Sequence, residues 1–237
     1  LHLSIRRQRQ MCIRDSIKGQ TRGLKAARNN AYNAISLVQV SEGGLNEINN
    51  ILIRLRELGV QAASDNIGEV ERGFLNQEAV QLVEEADRIS KTTRFGNRTL
   101  LDGSGERLDF HVGPYGGAEN VISYKITADA TGDQLGYSGI TVDTKDSARE
   151  TLGIVDEALT KLGAMRADFG AVQSRLNTTV SNLDIQYENL SAANSRIRDA
   201  DVAFESSEAA AASVLQSASI GVLAQANSMP QQALKLL

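Results

Sequence analysis

Leu152 to Leu190 reads LGIVDEALTKLGAMRADFGAVQSRLNTTVSNLDIQYENL, and the spacing of its large apolar residues decides the fold. Leu152, Val155, Leu159, Leu162, Met165, Phe169, Val172, Leu176, Val180, Leu183, Tyr187 and Leu190 follow one another at gaps of three and four only. Eleven gaps over 38 residues average close to 3.5, the period of a helix packed along a coiled-coil seam. With its first turns from about Ser147, such a helix spans roughly 65 Å at 1.5 Å per residue. A compact domain has little use for a rod of that length, and an elongated bundle does.

A second rod lies upstream. From Ile17 to about Ser64, Leu24, Ala31, Ile35, Val38, Leu45, Ile48, Leu52, Leu55 and Ala62 mostly recur at three, four or seven. Gly43-Gly44 sits inside this pattern and weakens the helix by about 1 kcal/mol per glycine. Ser64-Asp65-Asn66-Ile67-Gly68 is a run of turn formers and breaks it. A third helix follows from about Glu69 to Ser90, with Leu75, Ala79, Val83, Ala86 and Ile89 on one face. Residues 91–147 change character. Glycines punctuate short β-rich runs, Leu108-Asp109-Phe110-His111-Val112 alternates as a half-buried strand does, and Val121 to Ile126 is its candidate partner. Gly113-Pro114-Tyr115-Gly116-Gly117 suits the connection between them. The fold class is therefore mainly α: an elongated antiparallel helical bundle or coiled coil with a small β-hairpin region.

The last segment, about Ala193 to Leu237, is rich in Ala and Ser. Ala211, Leu215, Ala218, Val222, Ala226 and Met229 form a narrow seam of small and medium residues, too slight to hold a helix on a core of its own. It calls for a partner helix. The first sixteen residues, LHLSIRRQRQMCIRDS, are different again. They hold four of the 25 basic residues, one of the 29 acidic ones and the only cysteine, Cys12; without them the balance is 21 basic to 28 acidic, a net of −7. Two readings compete, a basic arm for an anionic partner or non-native sequence to be set aside, and the abrupt change at Ile17 favours the second.

Composition narrows the function classes. One Cys and two His, His2 and His111, give almost no raw material for zinc sites or for Cys/His or Ser/His catalysis. Aromatics are 4% and no basic stripe interleaves them, which argues against nucleic acid. No apolar run exceeds four residues (Ala209 to Ala212), which argues against a membrane-spanning helix or a secretory signal peptide. Glu84, Glu85 and Asp87 do not share one helix face and read as a solvated surface. Asp199 and Asp201 read as capping or exposed positions, and His111 as a structural or surface residue. The glycine-rich stretch 113–117 lacks the Lys-Ser/Thr ending of a phosphate loop. Asn97-Arg98-Thr99 fits the N-glycosylation acceptor pattern, a three-residue match that by itself carries little weight.

Three stretches carry a family resemblance: Glu42-Gly43-Gly44-Leu45-Asn46-Glu47-Ile48-Asn49-Asn50 with Arg54-Leu55-Arg56-Glu57-Leu58; Gly170-Ala171-Val172-Gln173-Ser174-Arg175-Leu176-Asn177; and Val222-Leu223-Ala224-Gln225-Ala226-Asn227 with Pro230-Gln231. Together with Ser195-Arg196-Ile197-Arg198-Asp199-Ala200-Asp201, they make nearly all of residues 17–237 resemble the bacterial flagellins. The resemblance implies a non-enzymatic filament subunit. Residues 17–192 would be a D1-like helical rod carrying the hairpin region (about 91–147), and residues 193–237 a D0-like C-terminal helix. The stretch from Ile126 to Ser147 is too short for the outer domains of larger members. The family's N-terminal helix precedes the position of Ile17, and on this reading it is missing here.

The resemblance further implies self-assembly through the terminal helices, here Leu215, Val222, Leu223, Gln225, Asn227 and Pro230. It also implies secretion through the flagellar channel to an extracellular filament, and neither cofactor nor metal. Implied partners are other copies of the subunit, the hook–filament junction protein and a flagellar export chaperone, with neither nucleic acid nor membrane insertion. In many flagellins the D1 helices also bind the innate receptor Toll-like receptor 5, and that motif falls on Arg54, Arg56, Leu58 and Glu78. A hook–filament junction protein is the alternative reading, since it shares terminal helices with flagellin; the Gln225-Ala226-Asn227 ending favours flagellin.

Overall fold

The computed structural model describes the backbone of residues 2–198 and 202–234, and the side-chain surroundings of residues 11–197 and 206–228. The order is α1 (His2–Ala62), α2 (Glu69–Thr92), β1 (Arg94–Phe95), β2 (Arg98–Thr99), β3 (Arg107–His111), a 3₁₀ turn (Ala118–Asn120), β4 (Val121–Lys125), α3 (Gly132–Leu135), α4 (Lys145–Arg198) and α5 (Val202–Leu234). The chain divides into two units, residues 16–191 and residues 1–15 with 192–237.

The larger unit is the bundle that the seams call for. Leu24, Ala31, Val38, Leu45 and Leu52 stand seven apart on α1 and are fully buried. Ala148, Val155, Leu162, Phe169, Leu176 and Leu183 stand seven apart on α4 and are buried too. A sevenfold repeat keeps one column of side chains on the contact line as two helices run past each other. Ion pairs show the direction. Arg28 meets Asp184 at 2.9 Å, Glu42 meets Arg166 at 3.8 Å, Arg56 meets Asp156 at 2.8 Å, and Asp65 meets Lys145. As the α1 number rises the α4 number falls, so the helices are antiparallel. These pairs are exposed or half-buried and add little stability; the apolar columns hold the rod.

α2 folds back on α1 across the 63–68 turn. Its Ala79 and Ala86 are buried, and Leu75, Val83 and Ile89 pack against the same core. The turn is closed by Arg72, a buried arginine that donates to the carbonyls of Ala62 at 2.9 Å, Ile67 at 3.2 Å and Ser64 at 3.4 Å. A helix end leaves carbonyls without intrahelical donors, and this guanidinium supplies them. Gly44 serves close approach: a Cβ there would lie 2.7 Å from Thr93 Oγ1 and 2.8 Å from Leu101 Cδ1, at the far end of α2.

β3 and β4 pair antiparallel with Leu108 opposite Tyr124 and Phe110 opposite Ile122. Leu108 and Ile122 are buried, and the Tyr124 ring lies 5.7 Å from that of Phe169 on α4. The strands end one residue earlier than the alternation alone suggests. Residue 112 instead donates from its backbone N–H to the Asn120 carbonyl at 2.7 Å, closing the loop. A second, two-residue hairpin joins β1 to β2 through Gly96-Asn97, where Gly96 has φ +62°. The remaining stretch wraps over α2. Its Tyr137 is fully buried and donates to the Ala130 carbonyl at 3.0 Å. In the smaller unit, α5 is exposed at every position from Ser206 to Asn227. Helix α1 starts at His2, so the backbone shows no break at Ile17.

Candidate assembly and receptor surfaces

Three groups of residues concern function, and the structure treats them differently. The first is the α5 seam. Leu215, Val222 and Leu223 are 67%, 69% and 66% exposed. Gln225 and Asn227 are exposed as well. Pro230 lies within α5, and its side-chain surroundings fall outside the described residues. The hydroxyls of Ser219 and Ser228 donate to the carbonyls of Leu215 and Gln225 on their own helix. With those hydroxyls turned inward onto the backbone, the seam offers small and aliphatic surface.

One exclusion drawn from the sequence needs correction. Ser206–Ser228 is a helix long and apolar enough to cross a membrane by length and composition, an 18-residue window within it reaching a mean hydropathy of 1.3. Counting uninterrupted apolar runs misses it, because Ser and Gln interrupt the runs while Ala, Val, Leu and Ile still dominate the average.

The second group is Arg54, Arg56, Leu58 and Glu78. The structure joins Arg54 to Glu78 across α1 and α2, Nε to Oε1 at 2.8 Å, with Glu57 at 3.0 Å from the same guanidinium. Glu78, then Glu57, hold the Arg54 proton more tightly than usual. Both partners keep nearly half their side-chain surface exposed, at 47% and 43%. Arg56 turns the other way, to Asp156 of α4. Leu58 does not join a surface: it is fully buried. Leu58 thus stands in the core and not on the face that carries Arg54, because Leu55, Leu58 and Ala62 continue the core spacing of α1. Arg54 lies on the flank of that line.

The third group comprises acids and loops. Glu84 accepts from Gln81, Glu85 pairs with Arg88, and Asp87 pairs with Lys91 while accepting from the Gly132 N–H at 3.4 Å. Among the described residues no three His, Cys, Asp or Glu side chains stand together as a metal-ligand set. His111 contributes its carbonyl, which accepts from Asn30 at 3.0 Å and ties β3 to α1. Asn97-Arg98-Thr99 forms the β1–β2 turn and β2. Asp199 and Asp201 lie outside the described residues. Sequence reasoning missed the strap of residues 132–142 over α2. Asp87 takes the Gly132 N–H at one end and Asn76 the Val142 N–H, at 2.8 Å, at the other. The available signal was the helical spacing of Asn76 and Asp87, eleven apart and thus on one face.

Comparisons with known proteins bear on both ends of the chain. The family description "bacterial flagellin N-terminal helical region" matches residues 9–106, and "bacterial flagellin C-terminal helical region" matches residues 152–237. A flagellin of Halalkalibacterium halodurans is 40% identical over 228 residues, covering 96% of this chain and 83% of that protein. A flagellar filament core protein of Brachyspira hyodysenteriae is 37% identical, with 96% and 84% covered. Among solved structures, Bacillus cereus flagellin superposes with a TM-score of 0.58 at 27% identity, over 70% of this chain and 94% of that one. A putative flagellar hook-associated protein from Vibrio parahaemolyticus superposes at 0.64 with 9% identity, over 77% and 95%, which shows a shared fold alone.

Proposed function

The chain belongs to the bacterial flagellin family and is a structural subunit of the flagellar filament; from that premise we propose how it assembles and what it meets. Residues 17–192 act as the D1-like rod and residues 193–237 as the D0-like helix. Subunits associate through α5, with Leu215, Val222, Leu223, Gln225, Asn227 and Pro230 in the contact. The observation that carries this is the exposure of three large aliphatic side chains, each at about two-thirds, on a helix with no core of its own. Burying such a side chain contributes about 1.5–3 kcal/mol, and a neighbouring terminal helix is what a filament supplies. No chemistry is required of the chain. Rods lie side by side, and small axial shifts between them set the filament's helical shape.

The subunit is secreted unfolded through the flagellar channel and works outside the cell. It meets an export chaperone before assembly and the hook–filament junction protein at the base. Toll-like receptor 5 reads the Arg54–Glu78 pair, whose planar guanidinium is suited to a forked contact, while Leu58 supports that surface from beneath. Electron microscopy of flagella built from this subunit tests the assembly reading. Long filaments support it, and a minor component confined to the hook–filament junction supports the alternative.

A further inference from the structure

Beneath the 132–142 strap lies a cavity of about 310 Å³ whose lining includes Val80, Val83 and Ile140, with Glu84 and Asp87 among its polar members. A dry cavity of roughly 150 Å³ already accepts a benzene ring, so this one has room for an aromatic side chain. Its rim is acidic. Asp87 is shared with Lys91. Glu84 is exposed and meets an amide of Gln81, and among the described residues it has no cationic partner. Asp87 and Asn76 anchor the two ends of the strap three helical turns apart on α2.

The same molecule carries a complementary projection. The β1–β2 hairpin presents Phe95, 36% exposed, between Arg94 and Arg98. Arg98 reaches Glu106 at 3.5 Å, and Arg94 has no ion-pair partner among the described residues. None of the residues lining the cavity belongs to this hairpin, so the fit is not made within one chain.

We propose that the β1–β2 hairpin of one subunit docks in the strap cavity of a second copy, Phe95 entering between Val80, Val83 and Ile140 and Arg94 meeting Glu84. The proposal rests on the filament reading and specifies one contact within it. Plug and socket are different surfaces of one rod, so the contact is head-to-tail, and repetition of such a contact extends a helical array rather than closing a dimer. Charge sets the direction: cationic hairpin to acidic rim gains, while hairpin to hairpin or rim to rim places like charges together.

Photocrosslinking tests it. The full chain carrying benzoylphenylalanine in place of Phe95 is mixed with isotope-labelled chain and irradiated at high concentration. Mass spectrometry then reads intermolecular links. The expected links fall in residues 80–84 or 138–141 of the other chain. Glu84→Arg and Arg94→Glu each lower the yield by about fivefold or more, with helicity unchanged, and combining both substitutions in one chain restores it. Links absent, links confined to other positions, or yields unmoved by the charge reversals would overturn the contact. Electron microscopy of the same samples keeps the two readings apart. Filaments without this link refute the contact alone, and the link without filaments refutes the filament reading alone.

Discussion

Adjacent glycines in the middle of α1 should respond oppositely to the same substitution. Gly43 and Gly44 both sit in helical backbone, where glycine costs about 1 kcal/mol relative to alanine. A Cβ at Gly43 meets nothing within 4 Å, so Gly43→Ala should stabilise by about 1 kcal/mol. A Cβ at Gly44 would stand 2.7 Å from Thr93 Oγ1, 2.8 Å from Leu101 Cδ1 and 3.1 Å from Thr93 Cγ2. Neither neighbour yields easily. The Thr93 hydroxyl is bound to the Ile89 carbonyl at 2.7 Å, and Leu101 is fully buried. Overpacking of this kind costs about 1–3 kcal/mol, which cancels or exceeds the helical gain. The two variants should therefore differ by about 1–3 kcal/mol, with Gly44→Ala the weaker. In a unit of this size each kcal/mol moves the midpoint by about 2–4 °C. Thermal unfolding followed by circular dichroism at the helical minimum reads the gap directly. A Gly44→Ala chain at least as stable as Gly43→Ala would refute the close approach of α1 to Thr93 and Leu101.

Three further outcomes are expected. Arg72→Met should lower stability by about 1.5–3 kcal/mol, since the lost hydrogen bonds are charge-assisted and three turn carbonyls lose their donor, as read by the denaturant midpoint; an unchanged midpoint would show that water replaces the guanidinium. Leu58→Ala should destabilise the rod by about 2–5 kcal/mol, whereas Arg54→Ala should leave stability within about 0.5 kcal/mol and cost at least about 1 kcal/mol of Toll-like receptor 5 binding if Arg54 is a hot spot. Acid should weaken the fold: the Lys145 hydrogen bond holds Asp65, Ser147 holds Asp143 and Thr99 holds Asp102 below the usual carboxylate range. A carboxylate lowered in the native state contributes stability that is present above its unfolded value, about 3.9, and is lost as pH falls through the folded value. Unfolding midpoints should decline below about pH 4, and Asp65→Asn should flatten that decline.

How much of this could be seen in the sequence depends on how local each signal is. The two long seams were legible because a sevenfold repeat is written into the chain itself: Leu24 to Leu52 and Val155 to Leu183 need no knowledge of their partner to be recognised as buried. Their antiparallel direction followed from the turn and hairpin between them, and the strand pairing from the alternation around Phe110. Arg72 shows the limit. On α2 it looks like one more charge on a polar face, and only the path of the 63–68 turn brings three carbonyls to its guanidinium. Leu58 shows the opposite error. A motif borrowed by resemblance placed it on a surface, while its own spacing from Leu55 and Ala62 already placed it in the core. Where a motif and a period disagree over one helical residue, the period carries more weight, because burial follows from the helix geometry around it. For Arg54 the two do not conflict, since it stands off the core line and pairs with Glu78 of α2.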